Sequence, residues 1–262
     1  MSPGGGDLEL AERVARVAGE GLLARFRRPP EGVELKSSSA DLVSEADLEA
    51  ERTIGDVLRA ERPEDGIIGE EGAAESAPSG RRWIVDPLDG TTNYLHGLAA
   101  WSVSVALEDE HGLVAGVVHD PVGVETFTAE RGLGAQLNGH PIEVRGNAVL
   151  GEALLATGFA YDAPTRAAQA SAFGSVLTQV RDVRRAGSAA LDLAWVAAGR
   201  LDGYWERGGK VWDWAAGRLI VAEAGGALEY LEGEPDGLMA ANPKLLPELA
   251  ALVRRSEQGA AR

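Results

Sequence analysis

The segment from Trp83 to Asn93 constrains this chain more than any other. Its first three residues are apolar and favour a β-strand, and they lead directly into a turn over residues 86–90 that carries Asp86 and Asp89. A buried strand that ends in a rigid carboxylate turn can hold a hard cation in a fixed place. The two threonines and the asparagine that follow are typical of a helix start, where free backbone N–H groups suit a phosphate. The segment therefore predicts metal-assisted phosphate chemistry.

Length and charge limit the classes of fold and partner. A chain of 262 residues predicts one large domain or two intimately packed halves, and we expect a single domain over residues 1–262 with 1–6 and 257–262 frayed. With 25 basic and 41 acidic residues, the net charge of −16 argues against nucleic acid or an anionic membrane surface as a main partner. A solvated surface explains most of this acidity, and carboxylates gathered to bind cations explain a minor share.

The residue types that are scarce narrow the chemistry further. The chain has no cysteine, which excludes disulfides, thiolate metal sites and cysteine nucleophiles. With only four histidines, any metal is expected to be a hard cation bound through oxygen rather than zinc. The sequence has no run of roughly 18 apolar residues, and its N-terminus lacks the features of a signal peptide. We therefore expect a cytoplasmic protein with no membrane partner.

Hydrophobic periodicity predicts helices and strands that alternate in groups. Apolar residues at helical spacing, together with capping signals, predict helices at about 7–27, 45–60, 163–180, 188–198, 213–224 and 242–254. Short apolar or alternating runs predict strands at 66–69, 83–85, 102–107, 113–119, 125–129, 135–137, 142–144, 202–206, 227–231 and 238–240. The five runs between 102 and 144 have the punctuation of an antiparallel meander. This grouping indicates a layered α/β arrangement with antiparallel sheet content.

Carboxylates stand beside predicted strand ends or helix starts in four places, namely Asp41 to Asp47, Glu70-Glu71, Asp86 to Asp89, and Trp212-Asp213. Each place also has a structural explanation. Ser44 and Asp47 fit a helix capping box. The paired glutamates fit a solvated loop, the two aspartates a plain turn, and Asp213 a helix start favoured by the helix dipole. Taken singly, none of these segments decides between a structural and a functional role.

Together the segments match a set of family signatures in the correct order. Gly-Glu-Glu, Asp-Pro-Leu-Asp-Gly-Thr-Thr-Asn, Trp-Asp-x-Ala-Ala-Gly and Glu-Ala-Gly-Gly occur at residues 69–71, 86–93, 212–217 and 223–226, and an upstream match covers 36–47. Over about residues 8 to 250, the chain resembles the inositol monophosphatase family of magnesium-dependent, lithium-sensitive sugar phosphatases. The resemblance implies a layered αβαβα sandwich of the inositol monophosphatase and fructose-1,6-bisphosphatase type. Members are commonly homodimers.

The resemblance also implies a magnesium site. In the family pattern, Glu70, Asp86 and the backbone carbonyl of Leu88 hold one Mg²⁺, while Asp86, Asp89 and Asp213 hold a second. Glu70 reaches a weaker third ion through water. About two to three Mg²⁺ ions are therefore expected, with ligands that are all oxygen.

The catalytic roles follow from the same resemblance. Thr91 and Asp47 are expected to orient and deprotonate a metal-bound water for in-line attack on phosphorus, and Glu70 supports this step. The amides of Gly90 and Thr91 are expected to hold phosphate oxygens. No covalent intermediate is needed.

The remaining signatures imply contacts with the alcohol part of a small-molecule phosphate monoester. The residues concerned are Gly187, Ser188, Ala189, Glu206 and Asp89. A glutamate is a good acceptor for vicinal hydroxyls, which favours a polyol, although a solvated strand end also explains Glu206. Lys210 stands where animal members often have a histidine. Like Arg184 and Arg185, it either serves an anionic substituent or points to water.

The leading hypothesis is an inositol-1-monophosphatase that also accepts related small sugar phosphates. The alternatives within enzymes are a histidinol-phosphate phosphatase and a fructose-1,6-bisphosphatase on the same scaffold. An interaction protein that retains the fold without catalysis is the alternative outside enzymes. A calcium-binding module is the weakest option, because the chain has no EF-hand loop spacing.

Overall fold

The computed structural model describes residues 5–28, 32–35, 42–74 and 76–260. Asp41 and the first part of the 36–47 match lie outside the described residues, as do residues 1–4 and 261–262. The helices are α1 Gly5–Arg25, α2 Glu45–Glu61, α3 Thr91–Leu95, α4 Ala163–Leu177, α5 Ala189–Ala197, α6 Val211–Glu223 and α7 Leu246–Ala260, with a short 3₁₀ turn at Leu150–Glu152. The predicted helices are all present, although α1 and α7 extend into the two ends that were expected to fray.

The strands form three sheets within the described residues. They are β1 Glu34–Leu35, β2 Leu42–Val43, β3 Gly66–Gly69, β4 Arg82–Asp89, β5 Ser102–Asp109, β6 Gly112–Asp120, β7 Glu125–Glu130, β8 Gly134–Leu137, β9 His140–Ile142, β10 Leu154–Thr157, β11 Asp182–Arg184, β12 Gly203–Arg207, β13 Ala227–Leu231 and β14 Gly237–Ala241. The short strands β1 and β2 pair only with each other.

The larger sheet has seven strands in sequential order from β3 to β9. Strand β3 is parallel to β4, and every later neighbour is antiparallel, which confirms the predicted meander. The last strand ends at Ile142, two residues earlier than predicted. The backbone N–H of Val144 instead donates to the carbonyl of Ala224 at the end of α6. The end of the meander is thereby tied to that helix.

The second sheet has five strands in the order β11-β10-β12-β14-β13. Strands β10, β11 and β12 are parallel, whereas β14 is antiparallel to both β12 and β13. Strands β10 and β11 were not predicted. Each has only three or four residues, and a run that short carries too little periodicity to be recognised.

The helices and the two larger sheets alternate in layers. Helices α1 and α2 share one buried cluster with the outer face of the seven-stranded sheet. Helices α5 and α6 lie between the sheets in a second cluster, and α4 and α7 cover the far face of the five-stranded sheet. This is the αβαβα arrangement that the sequence predicted. None of the described helices is both long and apolar enough to cross a bilayer.

The two central helices, α5 and α6, are in contact at Gly217, which leaves room for the side chain of Leu193. A Cβ atom at Gly217 would lie 2.6 Å from the Cβ and 2.7 Å from the Cδ1 of Leu193 on α5. Leu193 is fully buried and has little room to move. The glycine of the Trp-Asp-x-Ala-Ala-Gly signature is therefore explained by helix packing.

We expect Gly217→Ala to lower the free energy of unfolding by about 1–3 kcal/mol, because overpacking outweighs the gain in helix propensity. The matched control is Gly174→Ala in α4, where an added Cβ meets nothing within 4 Å. That change is expected to stabilise the protein by up to about 1 kcal/mol. Urea denaturation of both variants measures the difference, and equal effects would contradict the packing explanation.

Candidate active site

A cavity of about 450 Å³ is lined by residues from both larger sheets and from the starts of α3, α5 and α6. It brings together every residue expected to hold metal, namely Glu70, Asp86, Leu88, Asp89 and Asp213. It also brings together those expected to contact substrate, namely Asp89, Gly90, Thr91, Gly187, Ser188, Ala189 and Glu206. Asp47 is the exception, because it lies beneath the cavity and reaches it only through Thr91.

A bulge in β4 places Asp86 and Asp89 in the same cavity. Side chains alternate along a regular strand, so residues three apart point to opposite faces. Asp86 pairs with Ser104 and Asp89 pairs with Ser102. Between these two pairs, β4 therefore contains one more residue than β5. The extra residue restores both carboxylates to one side, and a bulge tolerates Pro87, which has no N–H. The predicted turn is thus a bulge inside a strand that continues to Asp89.

Gly90 connects this strand to the short helix α3. Its φ of 97° lies in the left-handed region, which glycine adopts without strain. A Cβ atom here would also lie 2.9 Å from the carbonyl oxygen of Ala100. The backbone conformation and the nearby Ala100 carbonyl both require glycine at this position. With glycine there, the chain passes directly from Asp89 into the helix start at Thr91. The first N–H groups of a helix have no intrahelical partner.

Asp47 divides its two oxygens between two tasks. Its Oδ2 accepts a hydrogen bond from the backbone N–H of Ser44 at 2.9 Å, and the Ser44 hydroxyl contacts the same oxygen. Its Oδ1 accepts a hydrogen bond from the Thr91 hydroxyl at 2.8 Å. That hydroxyl has a second acceptor, the carbonyl of Leu88 at 3.0 Å. The structural and functional interpretations of Asp47 therefore describe different atoms of one side chain.

Asp89 is fixed by the start of α5. Its Oδ2 accepts hydrogen bonds from the Ser188 hydroxyl at 2.6 Å and from the backbone N–H of Ala190 at 2.7 Å. Ser188 is fully buried and is the N-cap of the helix, as predicted. Burial nevertheless raises the pKa of Asp89 to about 7, because these hydrogen bonds only partly offset the loss of solvent.

Asp213 is held in a similar way in the first turn of α6. Its Oδ2 accepts a hydrogen bond from the backbone N–H of Lys210 at 2.6 Å. Asp213 therefore stands in the first turn of α6, where a negative charge is favoured by the helix dipole, and its side chain also lines the cavity.

The carboxylates raise one another's pKa values. Burial is the largest cause for Asp86, and repulsion by Glu70, Asp89 and Asp213 follows. The pKa of Asp213 is raised by burial first and then by Asp89. Such a group favours the uptake of positive charge. Within the described parts of the chain, no group of three or more His, Asp or Glu side chains is arranged so that it could hold a metal ion. The donors are all oxygen, and their chemistry fits a small hard cation such as Mg²⁺.

Glu206 is oriented by residues that the sequence analysis did not identify. The Tyr204 hydroxyl donates to its Oε2 at 2.7 Å, and the indole Nε1 of Trp214 donates to the Tyr204 oxygen at 3.0 Å. A Cβ atom at Gly158 would lie 2.1–2.2 Å from the Glu206 carboxylate. Gly158 therefore makes room for this carboxylate. Side chains alternate along β12, so Tyr204 lies on the same face as Glu206. This spacing was the one feature of the sequence from which the contact could have been predicted.

Other lining residues complete the rim and floor of the cavity. Lys210 and Arg185 are exposed and line the cavity, whereas Arg184 forms an ion pair with Asp182 at 2.6 Å and does not line it. Tyr161 and Asp192 also line it and were missed by the sequence analysis. They lie on segments without a recognisable signature.

A family model described as the inositol monophosphatase family matches residues 7–258. The chain belongs to the inositol monophosphatase family. This membership supports phosphatase activity. It also agrees with the layered fold and with the order of the signatures around the cavity.

Similar proteins carry two kinds of name. The chain is 40% identical over 255 residues to Nus factor SuhB of Escherichia coli (strain K12), covering 94% of this chain and 95% of that protein. It is 43% identical over 223 residues to an inositol-1-monophosphatase of Rhizobium meliloti (strain 1021), covering 82% and 84% of the two chains.

Solved structures confirm the fold. The Thermotoga maritima IMPase matches with a TM-score of 0.88 at 34% identity, covering 97% of this chain and 98% of that one. The extragenic suppressor protein suhB from Bartonella henselae matches with a TM-score of 0.89 at 39% identity, covering 94% and 97%.

We expect Tyr204→Phe to destabilise the protein by about 1–3 kcal/mol, because the buried indole of Trp214 and one oxygen of Glu206 each lose a partner. The control is Tyr230→Phe, since Tyr230 is 51% exposed and its hydroxyl makes no hydrogen bond within the described residues. Thermal and urea denaturation measure both variants. Equal stability of the two would show that the Tyr204 hydroxyl contributes nothing to holding Glu206.

Proposed function

We propose that this protein is a Mg²⁺-dependent phosphate monoesterase that hydrolyses inositol monophosphate and related small sugar phosphates. One observation carries the proposal: carboxylates from three separate parts of the chain line one cavity beside the helix start at Gly90-Thr91. Burial, and then repulsion by Glu70, Asp89 and Asp213, raises the pKa of Asp86, and a cation bound among these carboxylates would relieve that repulsion. A divalent cation and a phosphate together satisfy both features.

Glu70, Asp86, Asp89, Asp213 and the carbonyl of Leu88 are the groups that would hold about two to three Mg²⁺ ions. Bound Mg²⁺ supplies the charge that offsets the phosphate and the leaving alkoxide. Asp89 keeps its Oδ1 for this purpose, because its Oδ2 is engaged by Ser188 and Ala190.

Thr91 and Asp47 are assigned to proton movement. The Thr91 hydroxyl already donates to Asp47 Oδ1, so it can accept a proton from an attacking water while passing its own to the carboxylate. Asp47 is 1% exposed, and burial raises its pKa, which favours accepting that proton. The hydrogen bonds from Ser44 keep Asp47 in place during the transfer.

The alcohol part of the substrate is assigned to the side of the cavity formed by Gly187-Ser188-Ala189 and Glu206. Glu206 offers one oxygen, because Oε2 is engaged by Tyr204. An acceptor in that position suits the hydroxyls of a polyol. Histidinol phosphate and fructose 1,6-bisphosphate are the competing substrates within enzymes.

Phosphate release from inositol 1-phosphate, histidinol phosphate and fructose 1,6-bisphosphate, measured across a Mg²⁺ titration, tests the proposal. We expect the highest kcat/KM on inositol 1-phosphate, no turnover without Mg²⁺, and inhibition by Li⁺. Asp86→Asn is expected to lower kcat/KM by about 100-fold or more, because both proposed ion sites share Asp86.

A readout separate from catalysis accompanies this assay. Mg²⁺ should raise the melting temperature of the wild type by binding the folded state, and this shift should be lost in Asp86→Asn. Turnover that survives without divalent cations, or an equal Mg²⁺ shift in both proteins, would exclude the proposed site.

We expect Thr91→Val to lower kcat by about 10² to 10⁴-fold, because the side chain then cannot pass a proton to Asp47. Thr91→Ser keeps the hydroxyl and should retain most of the activity. The matched control is Thr92→Val, one residue further along α3 and outside the cavity lining. Steady-state kinetics on inositol 1-phosphate distinguish the three variants. Full activity of Thr91→Val would remove this residue from the mechanism.

A second candidate function comes from the name Nus factor, which relatives about 40% identical carry. The protein would then act by binding a partner, with or without catalysis. In a host strain lacking this gene, complementation by Asp86→Asn separates the two functions. Full complementation favours partner binding, whereas failure of a stably folded variant favours the phosphatase.

We further propose that the protein is cytoplasmic and forms a homodimer, as family members commonly do, and that neither nucleic acid nor a membrane is its main partner. The net charge of −16 supports the last point. Size-exclusion chromatography with light scattering tests the oligomeric state.

A further inference from the structure

Asp192 is a buried carboxyl group without a hydrogen-bond partner. It is 1% exposed, it lines the cavity, and its Oδ1 is buried with no partner among the described residues. It is also the only charged residue of α5, whose other eight residues are apolar. An unpaired buried polar group is costly, and a leucine or alanine here would remove that cost. The position therefore calls for a partner from outside the protein.

The other acidic side chains of the site differ from Asp192 in this respect. Asp86, Asp89 and Asp213 each accept a hydrogen bond from a backbone N–H, and Glu206 accepts one from Tyr204. These hydrogen bonds within the protein offset part of the cost of burying each of these carboxylates. The Oδ1 of Asp192 has no such hydrogen bond among the described residues, and Asp192 lines the cavity.

The helix geometry places Asp192 beside the proposed alcohol end of the cavity. It follows Ser188 by four residues, so both lie on one face of α5, and Ser188 holds Asp89. The charges that act on Asp192 are those of Glu206 and Asp89, opposed by Arg185. Asp192 and Glu206 thus border the same part of the cavity.

We propose that Asp192 binds hydroxyl groups of the substrate's alcohol moiety and, together with Glu206, makes the enzyme selective for polyol phosphates. The inference rests on the proposed phosphatase function and adds a residue to its specificity. A hydroxyl both donates and accepts, so it can satisfy a carboxyl group in either protonation state. Arg185 bears a positive charge on the same side and opposes an alkylammonium group, which makes a neutral polyol the better match.

The test compares a polyol substrate, inositol 1-phosphate, with 4-nitrophenyl phosphate, whose alcohol part has no further hydroxyl, and with ethanolamine phosphate. We expect Asp192→Ala to lower kcat/KM on inositol 1-phosphate by about 10- to 100-fold, mainly through KM, because a hydrogen bond between the substrate and the carboxyl group is lost. Activity on 4-nitrophenyl phosphate should stay within about threefold. Asp192→Asn keeps an acceptor and should fall between the wild type and Asp192→Ala.

The melting temperature distinguishes recognition from a structural role. Because the carboxyl group is unpaired in the free protein, neither Asp192 variant should be less stable than the wild type. The matched control is Asp202→Asn. Asp202 is 4% exposed and has a buried Oδ1 without a hydrogen bond, but it lies outside this cavity. That variant should leave the ratio of the two activities unchanged.

Three outcomes would overturn the inference: an equal loss on inositol 1-phosphate and 4-nitrophenyl phosphate, a lower melting temperature with an unchanged ratio, or a loss confined to ethanolamine phosphate. If the wild type hydrolyses none of these compounds, the proposed function fails on its own. Calorimetric binding of inositol 1-phosphate then decides about Asp192. Weaker binding to Asp192→Ala supports the inference, and equal binding refutes it.

Discussion

Carboxylates that repel one another in a shared cavity are the constraint on which the rest of this structure depends. Burial and mutual repulsion raise the pKa values of Asp86, Asp89 and Asp213. The protein holds these groups in place by fixing one oxygen of each with a backbone N–H, from the β4 bulge or from the start of α5 or α6. Asp86 also shares a hydrogen bond with Glu70. Fixing the carboxylates in this way restricts their side-chain conformations.

The layered architecture is what makes this arrangement possible. Helices α5 and α6 lie between the sheets, and their first turns reach the cavity beside the end of β4. Close contact at Gly217 and Leu193 sets the distance between the two helices. A change in that packing would move the start of α5, which holds Asp89, relative to Asp213 on α6, so helix packing and site geometry are coupled.

Most of the helices and the meander could be predicted from the sequence because their signals are local, whereas the cavity residues were predicted from the family resemblance. The signatures place carboxylates at helix starts, and periodicity identifies long elements. Strands β10 and β11 are too short to show a period. The same limit applies to Tyr204 and Asp192, whose importance depends on neighbours distant in sequence. The position of Asp47 beneath the cavity rather than in it also required the three-dimensional contact with Thr91.

The sequence allowed either a structural or a functional explanation for each acidic segment. In the fold, the two explanations are compatible. A carboxylate has two oxygens, and accepting one N–H at a helix start can engage only one of them. Asp47 and Asp213 each accept an N–H at a helix start, while Asp47 also contacts Thr91 and Asp213 also lines the cavity. The capping contact also restricts the rotamer, which directs the second oxygen. Contacts at helix starts thus fix the positions of Asp47 and Asp213 in this fold.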